Sequence, residues 1–173
     1  MPSKHFKPAG AVTFASYLKT PPLFTTVPVH HTKAQKDGLR YEKRVQGYIH
    51  KLIAGRDDVS VLFSPWLMYH NRSAGPTTVN FCQPDAVILS GSKVTIVECK
   101  LQHTNDSWQQ LRLLYEPVLR KIYKDKEFAL VEICKWYDSH AYYAESFYYC
   151  EDVLEAEVGK VGIHIYKPRG RSS

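Results

Sequence analysis

The sequence predicts an α/β fold: a mixed β-sheet flanked by helices, preceded by an irregular basic arm. Two β-branched runs around a short Gly-containing loop, within residues 82–98, predict a hairpin at the centre. Helical periodicity on either side of that hairpin supplies the covering layers. Residues 1–36 show neither periodicity, and Pro2, Pro8, Pro21, Pro22 and Pro28 disfavour a continuous helix there. The expected division is an arm over 1–36 and one domain over 37–173.

From Asp37 the pattern becomes helical. Asp37 serves as an N-cap, Tyr41, Val45, Tyr48, Ile49 and Leu52 share one face to about Ala54, and Gly55 ends the helix. Val59–Ser64 and Trp66–Tyr69 read as one strand interrupted by Pro65. Cys82–Leu89 and Lys93–Glu98 form the two arms of the hairpin around Ser90-Gly91-Ser92. A second helix is expected from Asp106 to about Tyr123, burying Trp108, Leu111, Leu114, Val118, Leu119 and Ile122 and bent or split by Pro117. Phe128–Cys134 reads as a buried strand, 137–158 as part helix, and Val161–Tyr166 as a short last strand.

Composition narrows the function classes. The chain has 173 residues, enough for one hydrophobic core, with 44% hydrophobic and 23% charged residues, ordinary for a globular protein. No apolar run reaches the length of a membrane span, and the N-terminus lacks the apolar core of a secretory leader, so a cytoplasmic, reducing setting is expected. Cys82, Cys99, Cys134 and Cys150 are scattered without a Cys-x-x-Cys pair, which argues for reduced thiols and against a zinc or iron–sulfur site. No glycine-rich phosphate loop and no Gly-x-Ser-x-Gly elbow occurs. The net charge is +6, and residues 1–56 carry ten Lys/Arg against Asp37 and Glu42. Lys167, Arg169 and Arg171 add a basic tail, so arm and tail suit a polyanion, or else a solubilising surface.

The chemistry concentrates on the hairpin. Asp85 lies near the start of one strand and Glu98 at the end of its antiparallel partner, so their carboxylates can converge. Glu98 and Lys100, two residues apart, share a face while Cys99 points to the other. Two carboxylates and the backbone carbonyl of Cys99 make a hard oxygen site suited to Mg²⁺, with Mn²⁺ substituting. Lys100 is placed to orient an attacking water or to stabilise charge on a phosphoryl oxygen. An alternative reading of Glu98 and Lys100 is a surface ion pair of little energetic worth.

Gln83-Pro84-Asp85, twelve intervening residues and Glu98-Cys99-Lys100 resemble the signature of the PD-(D/E)xK nuclease superfamily. That superfamily includes restriction enzymes, Holliday-junction resolvases and RecB-like and lambda-type exonucleases. The resemblance covers about residues 37–135 and implies a restriction-endonuclease-like core in the order α-β-β-β-α-β. It further implies a Mg²⁺-dependent deoxyribonuclease with Asp85, Glu98, Lys100 and Glu42 as catalytic residues. Of these, Asp85, Glu98, the Cys99 carbonyl and Glu42 would be metal ligands. The RecB-like branch carries Gln-x-x-x-Tyr on the next helix; Gln109 or Gln110 with Tyr115 is similar but differently spaced.

Substrate-contact candidates are Gln109, Gln110, His103, Lys43 and Arg44. DNA is the expected partner, and self-association is expected by analogy with relatives that act as dimers or rings. The tyrosine-rich run, Tyr142-Tyr143 and Phe147-Tyr148-Tyr149, is read as core or interface before base stacking. Two rival readings stand beside the nuclease. One is a catalytically silent nucleic-acid-binding or assembly module with the same fold, against which the intact Asp/Glu/Lys set weighs. The other is an unrelated α/β protein whose ion pair mimics the motif, which fails if Asp85, Glu98 and Lys100 lie together in a cleft.

Overall fold

The computed structural model describes residues 6–137 and 145–170; Tyr142, Tyr143 and Arg171 lie outside the described residues. The chain runs β1 (Val12–Tyr17), α1 (Lys33–Ile53), β2 (Val59–Phe63), β3 (Leu67–Asn71), β4 (Asn80–Cys82), β5 (Ala86–Ser90) and β6 (Lys93–Gln102). There follow α2 (Asn105–Gln109), a π-helical segment (Gln110–Tyr115), α3 (Glu116–Ile122), β7 (Glu127–Trp136), β8 (Phe147–Tyr149) and β9 (Val161–Ile165). The main sheet has the order β2-β5-β6-β7-β9-β8, antiparallel on the β2-β5-β6 side and parallel from β6 onwards. This is the expected α/β fold on a mixed sheet. The central hairpin closes on the pair Ser90↔Lys93, and Gly91 turns at φ +57°, a left-handed conformation that favours glycine.

Helices cover both faces of this sheet. Val87, Val94, Ile96, Phe128 and Leu130 pack on one side against Leu111, Tyr115, Val118 and Leu119 of the helical rod that follows β6. Ala86, Ile88, Val97, Ala129, Val131 and Ile133 pack on the other against Tyr41, Val45 and Ile49 of α1. Strand alternation therefore sorts each strand into two cores.

Several expectations are corrected. The arm is not wholly irregular: β1 pairs antiparallel with β3, and Ala9 and Val12 are buried. Its prolines flank the strand rather than interrupt it, so the prolines counted over the whole arm hid a short ordered piece. Helix α1 begins four residues before Asp37. Thr32 caps it, its hydroxyl accepting from the Gln35 N–H at 3.2 Å while the Gln35 side chain accepts from the Thr32 N–H at 2.8 Å. Val59–Tyr69 is two strands in two sheets, because the chain crosses at Ser64–Trp66 into a second sheet of order β1-β3-β4. Residues 145–158 contain β8 and a 3₁₀ turn at Val153–Glu155 in place of a helix.

Pro117 does not stop the second helix, which runs on to Ile122; it sits in the first turn of α3, where the π-helical segment gives way to α-helix. Proline has no N–H for the carbonyl of Leu113, four residues before it. The Ala9 N–H takes that carbonyl instead, at 2.9 Å, and the Asn71 amide donates to the Ala9 carbonyl at 3.0 Å. The arm thus supplies the donor that the helix lacks.

Candidate functional site

Pairing of β5 with β6 ends at Ala86↔Val97, so Asp85 and Glu98 stand just past the last rung, on the face covered by the π segment. The Asp85 carboxylate replaces the missing rung: it accepts the Cys99 N–H at 2.6 Å. A residue's N–H and C=O point to the same edge of a strand, so the Cys99 carbonyl opens in the same direction, beyond the end of β5. The Lys100 ammonium lies 3.0 Å from Glu98 Oε1. The other Glu98 oxygen, Oε2, is buried with no hydrogen-bond partner. Glu98 and Lys100 are thus paired, and Asp85 feels the charge of both at the same end of the sheet.

The electrostatics are those of crowded acids. Burial raises the Asp85 pKa well above the usual carboxylate range, and the charges of Glu98 and Glu42 push it further, against the pull of the Cys99 N–H and Lys100. Burial also raises Glu98, although Lys100 and the adjacent Tyr115 hydroxyl draw it back down. Desolvation works against the Lys100 ammonium, but Glu98, Asp85 and Asp106 outweigh it and the pKa rises. Burial and the same two carboxylates raise Tyr115 well above its ordinary value, so its hydroxyl keeps its proton; it donates to the Gln83 carbonyl at 3.3 Å.

Helix α1 brings Glu42 to this end of the sheet through a residue that sequence reasoning missed. Ser64, just past β2, has φ +46°, a left-handed conformation rare for a residue with a side chain. Its hydroxyl donates to Glu42 Oε1 at 2.9 Å, its N–H to the Asp85 carbonyl at 2.8 Å, and its own carbonyl accepts the Gln83 side-chain amide at 2.8 Å. Gln46 bonds both Glu42 Oε1 and Ser64 Oγ, at 3.3 and 3.2 Å. Ser64 ties Glu42, Gln83 and Asp85 into one knot. Strained backbone of this kind concentrates at functional sites, but nothing in a serine codon announces it.

The helix beyond β6 absorbs the irregular spacing. Gln110 and Tyr115 are five apart, one more than in Gln-x-x-x-Tyr, and the π-helical segment spans Gln110–Tyr115. A π turn repeats at i→i+5 where an α turn repeats at i→i+4, so the extra residue leaves both side chains on one face. Gln110 Oε1 is buried without a partner. Gln109 is half-buried and its side chain makes no hydrogen bond among the described residues.

The remaining candidates separate. His103 is fully buried and its Nδ1 lies 2.7 Å from Glu132 Oε2, so it sits beneath the surface rather than on a substrate path. Glu132 pairs in register with Glu98 on β7. Lys43 is exposed, and Arg44 donates to the Arg169 carbonyl at 3.3 Å, away from the carboxylates. Cys82, Cys134 and Cys150 are buried free thiols and Cys99 is half-buried.

Among the described residues no three His, Cys, Asp or Glu side chains form a ready-made metal cage. The donors that fit a hard divalent cation are of mixed kind: the Asp85 and Glu98 carboxylates and the Cys99 peptide carbonyl. Lys100 meets one Glu98 oxygen, and the other is buried without a geometric hydrogen bond although the Tyr115 hydroxyl lies close to the carboxylate.

No protein-family model matches the sequence, and no curated protein matches it. A solved structure, that of protein VC1899 from Vibrio cholerae, is similar at 16% identity and a TM-score of 0.38, over 53% of this chain. The similarity spans 23% of the VC1899 chain. No helix among the described residues is long and apolar enough to cross a membrane.

Proposed function

We propose that this chain is a metal-dependent nuclease that hydrolyses phosphodiester bonds in DNA. One observation carries the reading. Asp85 from the β5 edge and Glu98 and Lys100 from β6 gather at a single sheet end beside a buried carboxylate oxygen, and Glu42 from α1 adds its charge to the two acids. Asp85, Glu98 and the Cys99 carbonyl would hold Mg²⁺, with Glu42 beside them. The ion would supply Lewis-acid stabilisation of phosphoryl charge and a bound water of lowered pKa.

The chain's own groups do the rest. Lys100, kept protonated by its acidic neighbours, presents an ammonium to an attacking water or to the developing phosphoryl charge. Tyr115 stays protonated and steadies the Gln83 carbonyl, and Ser64 fixes Glu42. The test is cleavage of linear, circular, single-stranded and four-way-junction DNA with Mg²⁺ or Mn²⁺. Glu98→Gln or Lys100→Met is expected to reduce the rate about 100- to 1,000-fold or more, with the fold retained. Undiminished cleavage by either variant overturns the assignment. Inert wild-type protein whose Mn²⁺ binding is unaffected by Asp85→Ala would make the chain a silent binding module.

A further inference from the structure

Outside the acidic site a concentration of positive charge lines a groove between α1 and the segment after β9. Two neighbouring cavities form it, of 370 and 590 Å³, and both are lined by Arg44 and Pro168. Arg40, Arg44, Lys51, Lys135, Lys167 and Arg169 line them, against Asp37 alone. Asp37 is 3.4 Å from Arg40, whereas the other five cations form no ion pair among the described residues. Like charges gathered in a concave surface without counter-charges raise the local potential for a polyanion.

Half-buried aromatic rings line the groove and an exposed one borders it. Tyr48 stacks on Tyr166 at 4.3 Å and forms part of the wall. Trp136, half-exposed at 52%, lines neither cavity; it follows Lys135 at the end of β7 and marks the rim, with Lys135 and Lys167 at 5.4 and 4.9 Å from its ring. Cations that track a backbone, interleaved with an accessible indole, are the chemistry of single-stranded nucleic acid, whose unpaired bases stack while its phosphates pair. A duplex offers the phosphates and keeps the base faces inside.

Position links the groove to the acidic site. Leu101 lines the first cavity and Lys100 belongs to the site, adjacent on β6 with side chains on opposite faces. Groove and site therefore lie on either side of the same strand end. We propose that the groove is a binding track for single-stranded nucleic acid, from which a strand crosses the end of β6 to reach Asp85, Glu98 and Lys100. Binding in the groove stands on the groove alone; the crossing rests on the nuclease reading.

The test is fluorescence anisotropy of labelled oligo-dT with the full chain in chelator, where nothing is cleaved, across a salt series. The triple variant Arg44→Gln/Lys135→Gln/Arg169→Gln is expected to bind at least about tenfold more weakly and to flatten the log K against log salt slope by about 2, near 0.7 per lost phosphate contact. Trp136→Ala is expected to weaken binding about tenfold through lost stacking. Lys121→Gln/Lys124→Gln, which removes cations in the last turn of α3 and just after it, at the opposite end of the sheet, is expected to leave binding and slope unchanged. Equal affinity and slope in the triple variant and this control would overturn the proposal, as would tighter binding of blunt duplex than of oligo-dT. If the triple variant loses binding while wild-type protein with Mg²⁺ or Mn²⁺ cleaves nothing, the track stands and the crossing falls.

Discussion

At the residue scale Asp85 is held where its charge is least welcome. A carboxyl whose folded pKa lies above its unfolded value contributes stability that is present below the unfolded pKa and lost as pH rises through the folded one. At neutral pH the ionised form therefore costs the metal-free protein stability. Asp85→Asn is expected to stabilise that protein at pH 7 by about 1 kcal/mol, or about 2–4 °C in Tm. An asparagine oxygen can still accept the Cys99 N–H. Thermal melts in chelator check this: the gap between variant and wild type should close towards pH 4, and an equal Tm at pH 7 would mean that the acids are not crowded. Ser64 poses a separate question. Ser64→Gly relieves the left-handed strain but loses the bond to Glu42, whereas Ser64→Ala loses only the bond. Both are expected to lower cleavage about tenfold, with Ser64→Gly the more stable in melts; full activity in both removes Ser64 from the site. Asp85, Glu98 and Lys100 were legible in the sequence because strand alternation fixes side-chain direction. Ser64 was not, because a positive φ outside glycine has no residue signature. His103 was misplaced because a polar residue after a strand ordinarily faces water, whereas here Glu132 receives it in the core.

At the scale of elements, what decided legibility was whether a segment satisfies itself. The β5–β6 hairpin and α1 carry their own periodicity and turn chemistry, and both are found, with α1 extended at its start by the Thr32 cap. Strand β1 has no local partner; it exists because β3 pairs with it and because the Leu113 carbonyl needs a donor. Removing residues 1–17 is accordingly expected to destabilise the domain by about 3 kcal/mol or more, from lost burial of Val12 and exposure of the core beneath it. Urea unfolding checks this, and an unchanged midpoint would return these residues to the status of an arm. The π segment is open to a sharper test. Its extra residue is accommodated rather than required, so deleting Leu113 should convert the turn to α-helix and keep Gln110 and Tyr115 on one face. The deletion variant is expected to fold, with near-normal stability in melts. Collapse of the fold would mean that the π turn itself is needed to seat the helix.

At the scale of the whole molecule the mixed sheet with helices on both faces was foreseeable, since its strands and helices alternate in the sequence. The second sheet was not, because it forms only when the chain turns out of the main sheet at Pro65 and gathers strands from distant places. The molecule that results sets a cluster of acids beside a groove of cations, and the two should respond differently to conditions. Salt weakens the groove through screening and counterion competition, whereas pH acts on the carboxylates. On the proposed metal-dependent reading, protons and a divalent cation would compete for the same Asp85 and Glu98 oxygens, so the lower limb of a cleavage rate against pH profile should lie above the ordinary carboxylate range at limiting Mg²⁺. Raising Mg²⁺ should move that limb to lower pH without altering the plateau, while added NaCl at fixed Mg²⁺ should weaken substrate binding and leave the limb in place. The plateau should extend to alkaline pH, because Lys100 keeps its proton beyond the usual lysine range. A limb that ignores Mg²⁺ would detach proton binding from the metal ligands, and the titrating group would then have to be sought outside this carboxylate pair.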